Sequence, residues 1–273
     1  MKRLIASILL VYAITNIYLG FLSPYWGKIL ENPLWAGGLI AIAMWVPGII
    51  GLVFARKEGI SLPVFTRPNR YFFLAPLLIL VLMVLAFVLS LPFVEIRDFK
   101  GGNLIHLLAI LPVAYFFSLT GSMLFALGEE LYWRGYFWEK LRRFPPIKSV
   151  LIMGALWGIW HWPFVFFLRT HVVGASIHGS IYPGSPVLGS IIYPFYAILL
   201  SFPLTYYRLK GKSIMTSAAM HGMISLGVLF VSIIYQSPSS FLLGMTGATG
   251  LVIALLVCLF LKLFSPSTWK KLV

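Results

Sequence analysis

The chain has 273 residues, of which 60% are hydrophobic and only 10% charged, a balance far outside that of soluble domains. Its formal net charge of +14 would suit a nucleic-acid binder. The basic residues, however, lie in short stretches between apolar runs and form neither a tail nor a stripe, so nucleic acid is set aside as a partner and the lipid bilayer takes its place.

Apolar runs of about 20 residues, the length that crosses hydrocarbon as a helix, occur at 4–22, 34–55, 71–93, 104–127, 150–168, 187–207, 214–235 and 241–264. All are expected to be helical, because a helix satisfies its own backbone in lipid and the alternation of a membrane barrel is absent. The first run follows Lys2 and Arg3 but is long and lacks a small-x-small cleavage site, so it reads as a retained span and not a signal peptide. The ends carry no myristoylation or prenylation signal.

The expected fold is therefore all-α: a polytopic membrane protein with eight transmembrane helices forming one domain over 1–273. Orientation follows from the Lys and Arg count. Eight spans put 17 of the 21 basic residues on one side and leave Lys28, Arg97, Lys100 and Arg169 on the other, so both termini are expected to be cytoplasmic. Tyr25, Trp26, Tyr206, Tyr207 and Trp269 fall near span ends, where amphipathic rings favour the interface. The weakest boundary is the link at 236–240. Cys258, the single cysteine, sits inside the last run and reads as a packing residue.

Charges within the apolar runs are the informative residues, because they are costly there and mark functional cavities. Four of the seven acidic residues, Glu31, Glu58, Glu95 and Asp98, fall in loops. Glu129 and Glu130 instead follow directly on the fourth run, and Leu131, Tyr132 and Trp133 continue it, so one long helix should run toward Arg143 until Pro145 stops it. Glu130 and Arg134 are four apart and share a face where they can pair. Glu129 points about 100° away.

His106, His171 and His178 fall on the outer side, where they are expected to face solvent. His161 and His221 lie inside spans five and seven, roughly 20 Å and 13 Å along their helices from the cytoplasmic ends, and Glu129 lies roughly 20 Å from its own. One carboxylate and two imidazoles can thus meet at matched depth from three helices. Pro163 removes the backbone donor for the Ile159 carbonyl, which should kink span five beside His161. Ser225, one turn after His221, shares its face.

These residues fall into motifs. Glu129 to Arg134 has the form E-E-x-x-x-R, Trp157 to His161 is similar to F-x-x-x-H, and His221 to Ser225 is similar to H-x-x-x-N. Together, and in this order, they resemble the CAAX protease and bacteriocin-processing family, which includes the Rce1-type CAAX prenyl endopeptidases. The phrases GEELYWRG at 128–135 and WGIWHWP at 157–163 resemble its prokaryotic members.

The resemblance implies an eight-helix intramembrane endopeptidase, open to the cytoplasm of a prokaryotic cell, acting on a membrane-anchored peptide or prenylated protein. Glu129 and His161 would activate water, His221 and Ser225 would stabilise the oxyanion, and Glu130, Arg134 and Trp157 would support them. Two positions depart from the pattern. Trp157 stands for Phe, a change expected to alter pocket shape more than chemistry. Ser225 stands for Asn, a shorter and differently placed donor.

No metal or other cofactor is expected. Zinc is the alternative, since Glu129, His161 and His221 are normal zinc ligands, although H-E-x-x-H is absent. Two further alternatives keep the same residues: a proton-coupled transporter, and a non-catalytic membrane scaffold or immunity factor.

Overall fold

In a computed structural model of the protein, the described residues are 1–93, 104–170, 186–234, 248–264, 267 and 270, and every regular element among them is helical. The elements are α1 (Lys2–Leu22), a 3-10 turn, α2 (Trp26–Leu30), α3 (Pro33–Lys57), α4 (Arg70–Ser90), α5 (Leu104–Ser118) and α6 (Gly121–Glu130). A π-helical segment (Leu131–Phe137) leads into α7 (Trp138–Leu141). Then come α8 (Pro146–Trp160), α9 (Trp162–Thr170), α10 (Pro186–Gly211), α11 (Ile214–Ile234) and α12 (Ala248–Phe264).

Each of the eight apolar runs holds helix, but not in the form expected. Among the described residues five helical stretches are long and apolar enough to cross a membrane: Lys2–Ile29, Leu34–Lys57, Arg70–Leu89, Pro146–Phe167 and Val187–Gly211. Ala109–Ser118 and Gly121–Leu141 make a sixth if counted together, bent by 43° at their junction. The single straight fourth helix expected from hydropathy is thus broken at Leu119 and Thr120, and it continues as far as Leu141. Span five breaks at His161, where Pro163 predicts a kink. His171, His178, Glu95, Asp98, Arg97, Lys100, Trp269, the 236–240 link and the 241–247 start of the last run lie outside the described residues, as does the side chain of His106.

The bundle is apolar on the outside, and its largely apolar core also encloses polar groups. Along α1, Leu4, Ser7, Val11, Thr15, Leu19 and Leu22 are buried at helical spacing, whereas Ile5, Leu9, Ile17 and Phe21 are exposed. Water would penalise that outer face; lipid solvates it. The expected interfacial rings divide. Tyr25 is exposed, but Trp26 and Tyr206 are core residues, because the chain turns inward after α1 and α10 packs Tyr206 against its neighbours. Cys258 is half-buried and donates to the Leu199 carbonyl at 3.3 Å.

Glycines set how closely the site-bearing helices approach their neighbours. A Cβ on Gly128, beside Glu129, would lie 2.6 Å from the Met44 carbonyl oxygen and 2.7 Å from Trp45 Cα, so α6 and α3 touch backbone to backbone there. Gly154 and Gly158 form a G-x-x-x-G pair around Trp157, and a Cβ on Gly158 would run into Pro194 Cα of α10. Loop anchors finish the frame. Asn69 caps α4 by accepting from Tyr71 N at 2.9 Å, while its amide donates to the Lys210 carbonyl at 3.1 Å. Ile214 N, at the start of α11, donates to the Pro63 carbonyl at 2.8 Å.

Candidate active site

The site is assembled on α6, α8 and α11. Ser122 Oγ donates to the Gly222 carbonyl at 2.8 Å, tying the start of α6 to the turn of α11 that carries His221. Two turns later the helix delivers Glu129 and Glu130, then switches to i→i+5 hydrogen bonding through Leu131–Phe137. Such π segments are rare and recur at functional sites. Its side chains are all buried, and the Tyr132 hydroxyl shares a 3.0 Å hydrogen bond with Ser7 Oγ of α1.

Glu129, Glu130, Arg134, His161 and His221 are all buried. The two adjacent carboxylates enter different clusters. Glu129 Oε2 accepts from Trp157 Nε1 at 2.7 Å and lies 3.8 Å from His161 Nε2. His161 Nδ1 is 2.8 Å from the Trp157 carbonyl oxygen. A carbonyl only accepts, so Nδ1 carries the proton and Nε2 is the nitrogen turned to Glu129. Ionised carboxylate and neutral Nε2 are both acceptors. At 3.8 Å they are also too far apart for a direct hydrogen bond.

Glu130 Oε1 accepts from Arg134 Nη1 at 2.9 Å and from His221 Nδ1 at 2.9 Å. This confines the His221 proton to Nδ1 when the ring is neutral; only the imidazolium also has a proton to donate from Nε2. Arg134 Nη2 reaches Ser201 Oγ of α10 at 3.0 Å, and its guanidinium lies over the Trp157 ring, 4.2 Å from the centroid. Trp157 stands edge-on to both imidazoles, 5.4 Å from His161 and 5.2 Å from His221.

The three groups expected to converge are thus brought into one buried cluster, but they are not equivalent. His221 is hydrogen-bonded to Glu130 and not to Glu129, since Glu130 faces α11 while Glu129 faces α8. The Glu130–Arg134 pair forms as its spacing predicts. Ser225 is half-buried and lies one turn beyond His221 as expected, yet its hydroxyl donates to the His221 carbonyl at 3.2 Å. That is the back-bonding common for serine within helices, and it turns the proton toward the backbone.

Trp157 does more than fill space, because its indole N–H holds a Glu129 oxygen. Two partners escape sequence reasoning altogether: Ser201, and Tyr193, whose ring centroid lies 4.7 Å from that of His161. Both are polar residues inside the sixth apolar run, which is the signal that could have found them. Among the described residues no group of three or more His, Cys, Asp or Glu side chains is arranged to hold a metal ion.

Comparison with known proteins bears on the same stretch. Residues 111–227 match the model of the family described as Type II CAAX prenyl endopeptidase Rce1-like, a region that holds every residue of the cluster. A curated relative, CAAX prenyl protease 2 of Methanococcus maripaludis, is 29% identical over 155 residues, which cover 55% of this chain and 52% of the relative. The match therefore spans about half the length of that relative. With its apolar helices and its buried carboxylate and imidazole groups, the chain is thus similar over residues 111–227 to the Rce1-type CAAX proteases.

Proposed function

We propose that the protein is an intramembrane endopeptidase in which Glu129 and His161 activate a water molecule. The reading is carried by the 3.8 Å gap between Glu129 Oε2 and His161 Nε2, where two acceptors face each other and a water fits between them. The water gives a proton to Glu129 while its oxygen bonds to the scissile carbonyl carbon. His161 orients it through Nε2, its ring held by the bond from Nδ1 to the Trp157 carbonyl. Negative charge then grows on the carbonyl oxygen. As the imidazolium, His221 can meet that charge from Nε2 while Glu130 compensates its positive charge at Nδ1. When the C–N bond breaks, the leaving nitrogen takes the proton from Glu129, which returns the carboxylate to its starting state.

Ser225 takes at most a secondary part in this scheme, since its proton is directed to its own helix. The reaction is written without a metal. A substrate class follows from the family and from the relative's name: a membrane-anchored peptide or prenylated protein, cut near its C-terminus. Eight spans with both termini in the cytoplasm, in a prokaryotic cell membrane, fit the helical runs and the basic-residue bias, and would open the site toward the cytoplasm.

The test is cleavage of a membrane-anchored, prenylated peptide by the purified protein in liposomes, with products identified by mass spectrometry. Parent protein should release the C-terminal fragment, and Glu129→Ala should not. Equal cleavage by the two would remove Glu129 from the reaction. Chelator-resistant activity in protein free of zinc by elemental analysis supports the metal-free form; activity restored only by added zinc refutes it.

A further inference from the structure

Trp157 touches Glu129, Arg134, His161 and His221, four of the five groups of the cluster. Its indole N–H donates to Glu129 Oε2 at 2.7 Å. Its carbonyl accepts from His161 Nδ1 at 2.8 Å. Its ring face carries the Arg134 guanidinium, and its edges meet both imidazoles. The residue is itself fully buried and backed by Gly158, which lets α8 close on α10. The motif that this stretch resembles has Phe here. A phenyl ring could supply the ring contacts but has no N–H.

We infer that Trp157 is a positioning residue for the reacting carboxylate, its indole N–H holding Glu129 Oε2 in the orientation that faces His161 Nε2. Among the described residues Glu129 makes no hydrogen bond other than the one from Trp157. A carboxylate on a flexible side chain would otherwise sample several rotamers, and the guanidinium of Arg134 is committed to Glu130. One short, charge-assisted bond from a side chain locked by its own packing removes that freedom. The cation–π contact makes the same indole a link between the Glu129 cluster and the Glu130 cluster.

This inference rests on the protease reading for its kinetic arm and is independent of it for its spectroscopic arm. Trp157→Phe keeps an aromatic ring beside Arg134 and removes the N–H together with part of the buried ring volume. Expected is a fall in kcat of about 10- to 100-fold, the worth of a hydrogen bond to a charged group, with KM within about twofold of the parent and a lower unfolding temperature from the smaller ring. In parallel, the indole 15N–1H resonance of Trp157 is assigned in detergent micelles by its loss in Trp157→Phe. It should lie downfield as a strong donor and move upfield in Glu129→Ala. A Trp157→Phe enzyme with parental kcat, or a Trp157 resonance indifferent to Glu129→Ala, would overturn the inference. Absence of cleavage by the parent protein would fell the protease reading alone, leaving the resonance to decide.

Discussion

Two polar networks of similar composition lie on one continuous helical path. At the far end of the π segment, Tyr136 donates to Glu58 Oε1 at 2.6 Å and Lys140 pairs with the same carboxylate. Nearby, Arg208 and Arg142 bridge Glu139 at 2.9 and 3.0 Å. Toward the middle of the bundle, Glu129, Glu130, Arg134, His161 and His221 form the second network. The first keeps partial access to solvent, where ion pairs cost little and contribute little. The second is buried, where taking each ion out of water costs several kcal/mol. Two carboxylates, a guanidinium and two imidazoles are kept at that cost inside an apolar bundle. What they share is the set of groups that the proposed acid–base chemistry uses, whereas the outer network clips helices together.

The comparison breaks first at Glu129. Glu129→Ala should lower peptide cleavage by about 100- to 10,000-fold, the usual worth of a positioned general base. Unfolding temperature should hardly change, because a buried carboxyl with a single hydrogen bond is removed. Differential scanning fluorimetry beside the cleavage assay separates the two effects. Arg134→Ala should act the other way round. It leaves Glu130 buried without its cation and should destabilise the fold by about 3–5 kcal/mol, seen as early unfolding on heating or in denaturant.

Ser225→Ala sharpens the division of labour at the oxyanion. A true oxyanion donor is worth about 100- to 1,000-fold. Since the Ser225 proton goes to the His221 carbonyl, the alanine variant should lose less than about tenfold in kcat, whereas His221→Ala should show the full loss.

The smallest effect belongs to the outer network. Burial pushes the Glu58 carboxyl up, but hydrogen bonds from Lys140 and Tyr136 and the charges of Lys140 and Arg3 outweigh it and hold the group below the usual carboxylate range. Its contribution to stability is then present above the ordinary glutamate value of about 4.3 and is lost as pH falls through the lower folded value. Thermal unfolding between pH 6 and 3 should show a small acid-side drop that Glu58→Gln reduces.

Much of this molecule is legible from sequence because lipid enforces simple rules. The apolar runs mark the helices, and the expense of charge in hydrocarbon singles out Glu129, Glu130, Arg134, His161 and His221. What escapes is set by packing at the scale of one side chain. The break at Leu119 and Thr120 lies in a Ser-Leu-Thr-Gly-Ser stretch too short to interrupt a hydropathy window, although its small polar residues are a turn signal. The assignment of His221 to Glu130 depends on which carboxylate faces α11, a rotation of one residue along the helix. The role of Trp157 is equally local: an indole reads as a larger phenyl until the position of its nitrogen is known.

The most direct measurement uses water labelled with 18O and a membrane-anchored peptide, with product mass and rate followed for the parent, Glu129→Gln and Glu130→Gln. If Glu129 takes the proton from the attacking water, the parent incorporates one 18O into the new carboxylate and Glu129→Gln releases almost no product. Glu130→Gln, which alters the partner of His221 and Arg134 but not the proton acceptor, should retain measurable turnover. Labelled product formed by Glu129→Gln at the parental rate would contradict the account.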